Sequence, residues 1–104
     1  MKTVLGYVAT KDREQAVTLG RMLVEKRLVA CANILPAMES IYHWDGKTQH
    51  SQEALLILKT TAKLQEKVTA LVKALHSYDT PGLVFLPIEG GFEGYLKWVT
   101  ESVG

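Results

Sequence analysis

The chain has 104 residues, 47% hydrophobic and 22% charged, with a formal net charge of +1. These totals indicate a single globular domain over residues 1–104, and the balanced charge argues against a nucleic-acid or membrane partner. The single cysteine, Cys31, excludes an internal disulfide and favours a reducing, cytoplasmic setting. No apolar run approaches the roughly 20 residues that a helix needs to cross a membrane.

The chain begins with a strand and a helix. Residues 4–10 are apolar and rich in β-formers, which predicts a first strand. Asp12 is placed to cap the following helix, and Gln15, three residues later, completes a capping box. The apolar positions of this helix recur at helical spacing: Ala16, Leu19, Leu23 and Val24.

A long β-hairpin comes next. Asp45-Gly46 predicts a two-residue turn in which both residues have φ > 0, joining arms at residues 29–44 and 47–60. An arm of this length spans about 50 Å, whereas a globule of this chain length is only roughly 33 Å across. The hairpin should therefore protrude and leave strand edges bare, and bare edges favour association with further copies of the chain.

The turn also fixes which residues of the two arms face each other. It predicts the pairs Tyr42 with Gln49, Met38 with Glu53, and Ile34 with Ile57. Pro36 cannot donate a hydrogen bond to the ladder, so we expect an edge or a bulge at that position.

The second half supplies a helix, a strand and a last helix. Thr61 is a candidate cap for a helix with an apolar stripe, residues 82–88 form a short strand, and apolar residues at helical spacing follow. The stripes are Leu64, Val68, Leu71, Val72, Leu75 and then Phe92, Tyr95, Leu96, Val99. The order β-α-β-β-α-β-α predicts an α+β fold, a ferredoxin-like βαββαβ sandwich with an extra C-terminal helix and a long protruding hairpin.

Three positions could carry chemistry, and each has a structural alternative. Cys31 is either a small buried side chain or a thiolate donor for a soft metal ion. Lys59, at the end of an apolar strand, either extends its amine to the surface or meets an anion. The polar segment from His76 to Pro81 is either a functional loop or a helix stop.

The hairpin tip carries a second group of candidates. His43 and His50 should lie on one face of the hairpin, where they could share a metal ion or simply be solvated. Tyr42 and Trp44 are large side chains beside the turn, and we expect both to anchor an interface between subunits.

Several segments together resemble a known family. They are LVACANILP (28–36), SIYHWDGK (40–47), LILKT (56–60), HSYDTP (76–81) with LPI (86–88), and YLKW (95–98). Over essentially the whole chain they resemble CutA, the divalent-cation tolerance proteins.

The resemblance implies a tight homotrimer, similar to PII-type signalling proteins, with a ligand cleft between subunits and a role in tolerance of divalent ions, copper in particular. It implies metal donors at His76 and Cys31, cleft residues at Lys59 and Tyr78, and a trimer contact at Trp44. It implies no enzymatic activity and leaves room for an unidentified protein partner.

The chain departs from the family pattern at four places. Ser77 replaces a proline, Gly82 replaces a glutamate, and Val8 and Leu75 stand where some members have proposed copper ligands. Fewer donors argue against tight copper binding rather than against the fold.

Two other functions remain open. The first is a small-molecule sensor that acts through the trimer clefts, with Lys59 bound to an anion. The second is an acyl phosphatase of the same fold, which needs an arginine in a phosphate-binding loop. Arg13, Arg21 and Arg27 do not occupy such a loop in the predicted fold.

Overall fold

Four strands form one antiparallel sheet in the order β2-β3-β1-β4 in the computed structural model, which describes residues 2–104. The elements are β1 (Thr3–Thr10), α1 (Arg13–Glu25), β2 (Cys31–Trp44), β3 (Lys47–Thr61), α2 (Gln65–Leu75), β4 (Leu83–Pro87) and α3 (Glu93–Ser102). This is the predicted ferredoxin-like arrangement with an added C-terminal helix.

The hairpin turn has the predicted conformation. Asp45 has φ of 54° and Gly46 has φ of 71°, so both central residues are left-handed, as a type I′ turn requires. Tyr42 faces Gln49 across the turn, as predicted. The hairpin gives the molecule a long axis of 44 Å, against 25 and 22 Å in the other two directions.

A β-bulge at Pro36 changes the pairing farther from the turn. Met38 faces Glu53 as predicted, but the register shifts between Leu35 and Met38. Two residues of β2 there oppose one residue of β3. Ile34 consequently faces Leu56, and the predicted pairing with Ile57 is wrong by one position.

One face of the sheet carries the core. Alternate residues of β1 and β3, including Val8, Leu56 and Leu58, are fully buried. They pack in one cluster with Leu19 and Leu23 of α1 and with Val68 and Val72 of α2. Because side chains alternate along a strand, the intervening residues of β1 and β3 point to the opposite face, called here the open face.

The open face is apolar and only partly covered. Tyr7, Leu35, Val84 and Leu86 lie on it by strand register and are all exposed; Val84, for example, is 55% exposed. The helix α3 lies against β3 and β1. It covers the Lys59 end of the open face, since the Lys59 amine lies above the ring of Tyr95.

The helix ends show which local signals hold. The backbone N–H of Gln15 donates to Oδ1 of Asp12 at 2.8 Å, which confirms the predicted cap of α1. The predicted cap of α2 at Thr61 is wrong, because Thr61 instead precedes a 3₁₀ turn, Ala62–Leu64, and its side chain makes no capping hydrogen bond. Val24 is also more exposed than its place in the α1 pattern suggested. No helix within residues 2–104 is long and apolar enough to cross a membrane.

Candidate functional site

The predicted site residues lie at two opposite ends of the sheet. Cys31 pairs with Lys59, which pairs in turn with Leu5 on β1. His76 instead contacts the backbone of Ala9, four residues farther along β1. Four residues of a strand span about 13 Å, so Cys31 and His76 lie apart within the chain.

The first group, called here the lysine end, surrounds Lys59. Its amine donates a hydrogen bond to Oδ1 of Asn33, and the Cys31 thiol donates to the same oxygen at 3.5 Å. The amine also lies 6.0 Å from the centre of the Tyr95 ring, at the outer limit of a cation–π contact. All these partners of the ammonium are formally neutral.

The second group, called here the glutamate end, is centred on Glu53. This residue is only 8% exposed, and the Tyr78 hydroxyl donates to its Oε2 at 2.9 Å. Burial, followed by the hydrogen bond to Glu53, raises the pKa of Tyr78 to about 12. The phenol therefore stays a hydrogen-bond donor throughout the physiological pH range.

His76 orients Tyr78 from the side. Its Nε2 lies 2.7 Å from the carbonyl oxygen of Ala9, and its Nδ1 lies 3.0 Å from the backbone N of Tyr78. A carbonyl only accepts and a backbone N–H only donates, so Nε2 carries the proton and Nδ1 is the acceptor. The two aromatic rings are 4.7 Å apart. A metal ion could bind His76 only by displacing one of these two partners.

The hairpin tip overhangs the glutamate end. A cavity of about 710 Å³ lies between the hairpin and the loop after α2, and its lining includes Tyr7, Tyr42, Trp44, Glu53 and Tyr78. Trp44 is 59% exposed, and the Tyr42 hydroxyl lies 3.1 Å from Oγ of Ser51. Both aromatic residues are thus available for an interface, as their predicted role requires.

Comparison with known proteins identifies the family. Residues 4–102 match the family described as "CutA1 divalent ion tolerance protein". The chain belongs to the CutA1 family.

Its relatives come from bacteria, archaea, plants and animals. The divalent-cation tolerance protein CutA of Thermus thermophilus is 44% identical over 97 residues, which cover 93% of this chain and 94% of that protein. The chloroplastic CutA of Arabidopsis thaliana is 43% identical over 100 residues, or 96% of this chain and 55% of that protein. The chain therefore spans about half the length of the plant relatives.

Solved CutA1 structures have the same fold. CutA1 from Oryza sativa has a TM-score of 0.97 at 39% identity, covering all of this chain and 95% of that one. The T. thermophilus structure has a TM-score of 0.94 at 43% identity, with both chains fully covered.

The donor set within residues 2–104 of the single chain does not fit a metal ion. Within residues 2–104, no three His, Cys, Asp or Glu side chains are grouped closely enough to hold one. At the tip, Nε2 of His50 lies 2.9 Å from Oε1 of Glu39, so His50 is paired with a carboxylate rather than with His43.

Two polar residues of the site, Glu53 and Asn33, were missed as candidates. Both lie on the same face as Lys59, by the period-two alternation of β3 and by its pairing with β2. The available signal for Glu53 was a charged residue two and four positions before Leu55 and Ile57, and therefore on the same face of the strand. The contact between His76 and Ala9 had no sequence signal, since a backbone carbonyl carries no residue identity.

Proposed function

We propose that this CutA1-family protein acts in tolerance of divalent metal ions as a homotrimer with ligand clefts between its subunits. His76 and Cys31 are the proposed metal donors, with copper as the leading ion, and Lys59 and Tyr78 shape the cleft. Tyr42 and Trp44 contact a neighbouring subunit. The family description supports the role in ion tolerance.

The open face is the observation that carries the assembly. Tyr7, Leu35, Val84 and Leu86 expose apolar surface on a sheet face that α3 covers at one end only. An apolar patch of this kind on a soluble domain is usually buried by a partner, and identical copies form closed rings most readily. Packing of open faces around a three-fold axis would bury these side chains.

The separation of the proposed donors supports a site between subunits. Cys31 is at the lysine end of the sheet and His76 is beside the glutamate end. A neighbouring subunit could place its Cys31 beside His76, which one chain alone cannot do. The thiolate and the imidazole are suitable donors for copper.

Native mass spectrometry followed by copper titration calorimetry tests the proposal. We expect a trimer and a stoichiometric copper site that is lost in both His76→Ala and Cys31→Ala. His43→Ala, which removes an exposed tip histidine, is the matched control and should bind copper as the parent does. A heat of copper binding that persists in the His76→Ala/Cys31→Ala double variant would refute the donor assignment.

The location and further partners are also part of the proposal. A single unpaired cysteine supports a cytoplasmic protein, although the matched plant relatives are named chloroplastic. Cell fractionation tests this location. We propose no catalytic activity, because the family description names ion tolerance and no reaction. The relatives' names likewise mention divalent cations and not small-molecule sensing.

A further inference from the structure

Two charged residues of the open face have no partner of opposite charge among residues 2–104 of their own chain. Glu53 is 8% exposed and accepts a hydrogen bond from the neutral Tyr78 hydroxyl. Lys59 is bound to the neutral side chain of Asn33. Within residues 2–104 the one ion pair joins His50 to Glu39. A carboxylate as buried as Glu53 is normally paired with a cation.

The two charges cannot neutralise each other within one subunit. Glu53 and Lys59 are both on β3 and point to the same face, six residues apart. Six residues of a strand span about 20 Å, which is about twice the distance over which charges interact at physiological ionic strength. A direct contact between them therefore requires a second copy of the chain.

We propose that Lys59 of one subunit donates to the Glu53 carboxylate of the adjacent subunit, so that each cleft is completed by two subunits. This inference rests on the proposed packing of open faces. In a closed ring, every subunit offers its lysine end to one neighbour and its glutamate end to the other. Identical contacts then neutralise every one of these charges, and an open apolar face becomes an interface with a fixed register.

The pair also determines which other residues meet in the cleft. Cys31 and Asn33 accompany Lys59, since the Cys31 thiol and the Lys59 amine both donate to Oδ1 of Asn33. Tyr78 accompanies Glu53, and His76 holds Tyr78 through its backbone N–H. Contact between Lys59 and Glu53 of different subunits therefore brings the Cys31 thiol of one subunit toward the His76 imidazole of the next.

A double-mutant cycle on subunit dissociation tests the pair. Lys59→Met and Glu53→Gln each remove a charge at nearly constant size, and the apparent dissociation constant follows from denaturation at several protein concentrations. We expect each single variant to raise this constant by a certain factor. The factor for the double variant should be about tenfold smaller than the product of the two single factors. Agreement with that product within about twofold would refute the pair.

A matched control shows that any coupling is specific. Lys73 is an exposed lysine of α2, on the other side of the sheet from the open face. Lys73→Met combined with Glu53→Gln should give the simple product of the two effects. Coupling of the same size with Lys73 would attribute the result to net charge and overturn the proposal.

Subunit mixing gives a second test that does not depend on a measurable dissociation constant. Lys59→Glu alone places two carboxylates at every contact, and Glu53→Lys alone places two ammonium groups there. After the two variants are unfolded together and refolded, native mass spectrometry should find mixed assemblies above the random proportion. A random distribution would contradict the pair.

The two proposals fail separately in these experiments. Coupling between Lys59 and Glu53 in an assembly that is not a trimer would refute the proposed trimer and keep the pair. A trimer that binds copper but shows no coupling would refute the pair and keep the proposed function.

Discussion

The Tyr78 hydroxyl lies 2.9 Å from Oε2 of Glu53, and this hydrogen bond joins the loop after α2 to the middle of β3. It is a long-range contact, because its two partners are 25 positions apart in the chain. The bond satisfies a largely buried carboxylate, and it ties the loop to the lining of the cavity beneath the hairpin.

Removing this hydrogen bond should measurably destabilise the fold. Tyr78→Phe keeps the ring but leaves Oε2 of buried Glu53 without its donor, and we expect a loss of about 1–3 kcal/mol in the free energy of unfolding. Tyr42→Phe is the control, because its hydroxyl meets Ser51 in an exposed setting. Denaturant unfolding measures both. Equal losses in the two variants would contradict the importance of the Glu53 contact.

Stability should fall in alkaline solution because of the same residue. The pKa of Tyr78 is raised from 10.0 to about 12 in the folded protein, first by burial and then by Glu53. Between these values the unfolded chain loses the proton that the folded chain keeps, so the stabilising contribution is complete below pH 10 and disappears as the pH rises through 12. The ionisation of Tyr78 is followed by titrating the tyrosinate absorbance of the parent and subtracting that of Tyr78→Phe. A difference curve with its midpoint near pH 10 would disprove the shift.

His76 should matter for stability as well as for any metal. His76→Ala leaves the Ala9 carbonyl and the Tyr78 backbone N–H without their partners, and we expect a cost of about 1–3 kcal/mol in unfolding free energy. His43→Ala, at an exposed position, should change stability by less than about 0.5 kcal/mol. Thermal and denaturant unfolding without added metal are the appropriate measurements. A His76→Ala variant as stable as His43→Ala would refute this account of the two hydrogen bonds.

Substitution of Gly46 in the hairpin turn should lower the stability of the fold. Gly46 has φ of 71°, which side-chain-bearing residues adopt at a cost, so Gly46→Ala should lower the unfolding free energy by about 1 kcal/mol. Gly90→Ala is the control, because Gly90 has no positive φ and nothing lies within 4 Å of an added Cβ. Denaturant midpoints compare the two variants. A costlier substitution at Gly90 would contradict the turn geometry.

Trp44 should hold the assembly together. Trp44→Ala removes the largest exposed side chain on the open-face side of the tip, and we expect monomers or aggregates in light scattering after size exclusion. Ile41, 70% exposed, lies on the other face of the same strand, so Ile41→Ala is the control and should stay assembled. A Trp44→Ala variant that elutes as the parent does would show that Trp44 does not anchor the assembly.

Local signals in the sequence determined much of the fold. Asp45-Gly46 specified the turn and the pairing up to Met38, because few residue pairs adopt two left-handed conformations in succession. Asp12 specified the start of α1 in the same local way, whereas the Gln15 side chain accepts from the backbone N–H of Lys11 and not from that of Asp12. Residues 54–58 of β3 are all apolar, so the sequence did not separate the core face from the face that carries Lys59. Pro36 indicated a bulge from the sequence. The partner of Ile34, however, depends on how many extra residues β2 has at the bulge, and only the pairing with β3 determines that number.

The arrangement of the site was decided by the tertiary structure. The sequence motifs contained Cys31, Lys59, His76 and Tyr78, yet nothing in their spacing put the first two at one end of the sheet and the last two at the other. Those positions follow from strand order and register, which depend on contacts between residues far apart in the chain. The protonated nitrogen of His76 and the raised pKa of Tyr78 depend on such contacts too, because a backbone carbonyl and a buried carboxylate become neighbours only when the chain has folded.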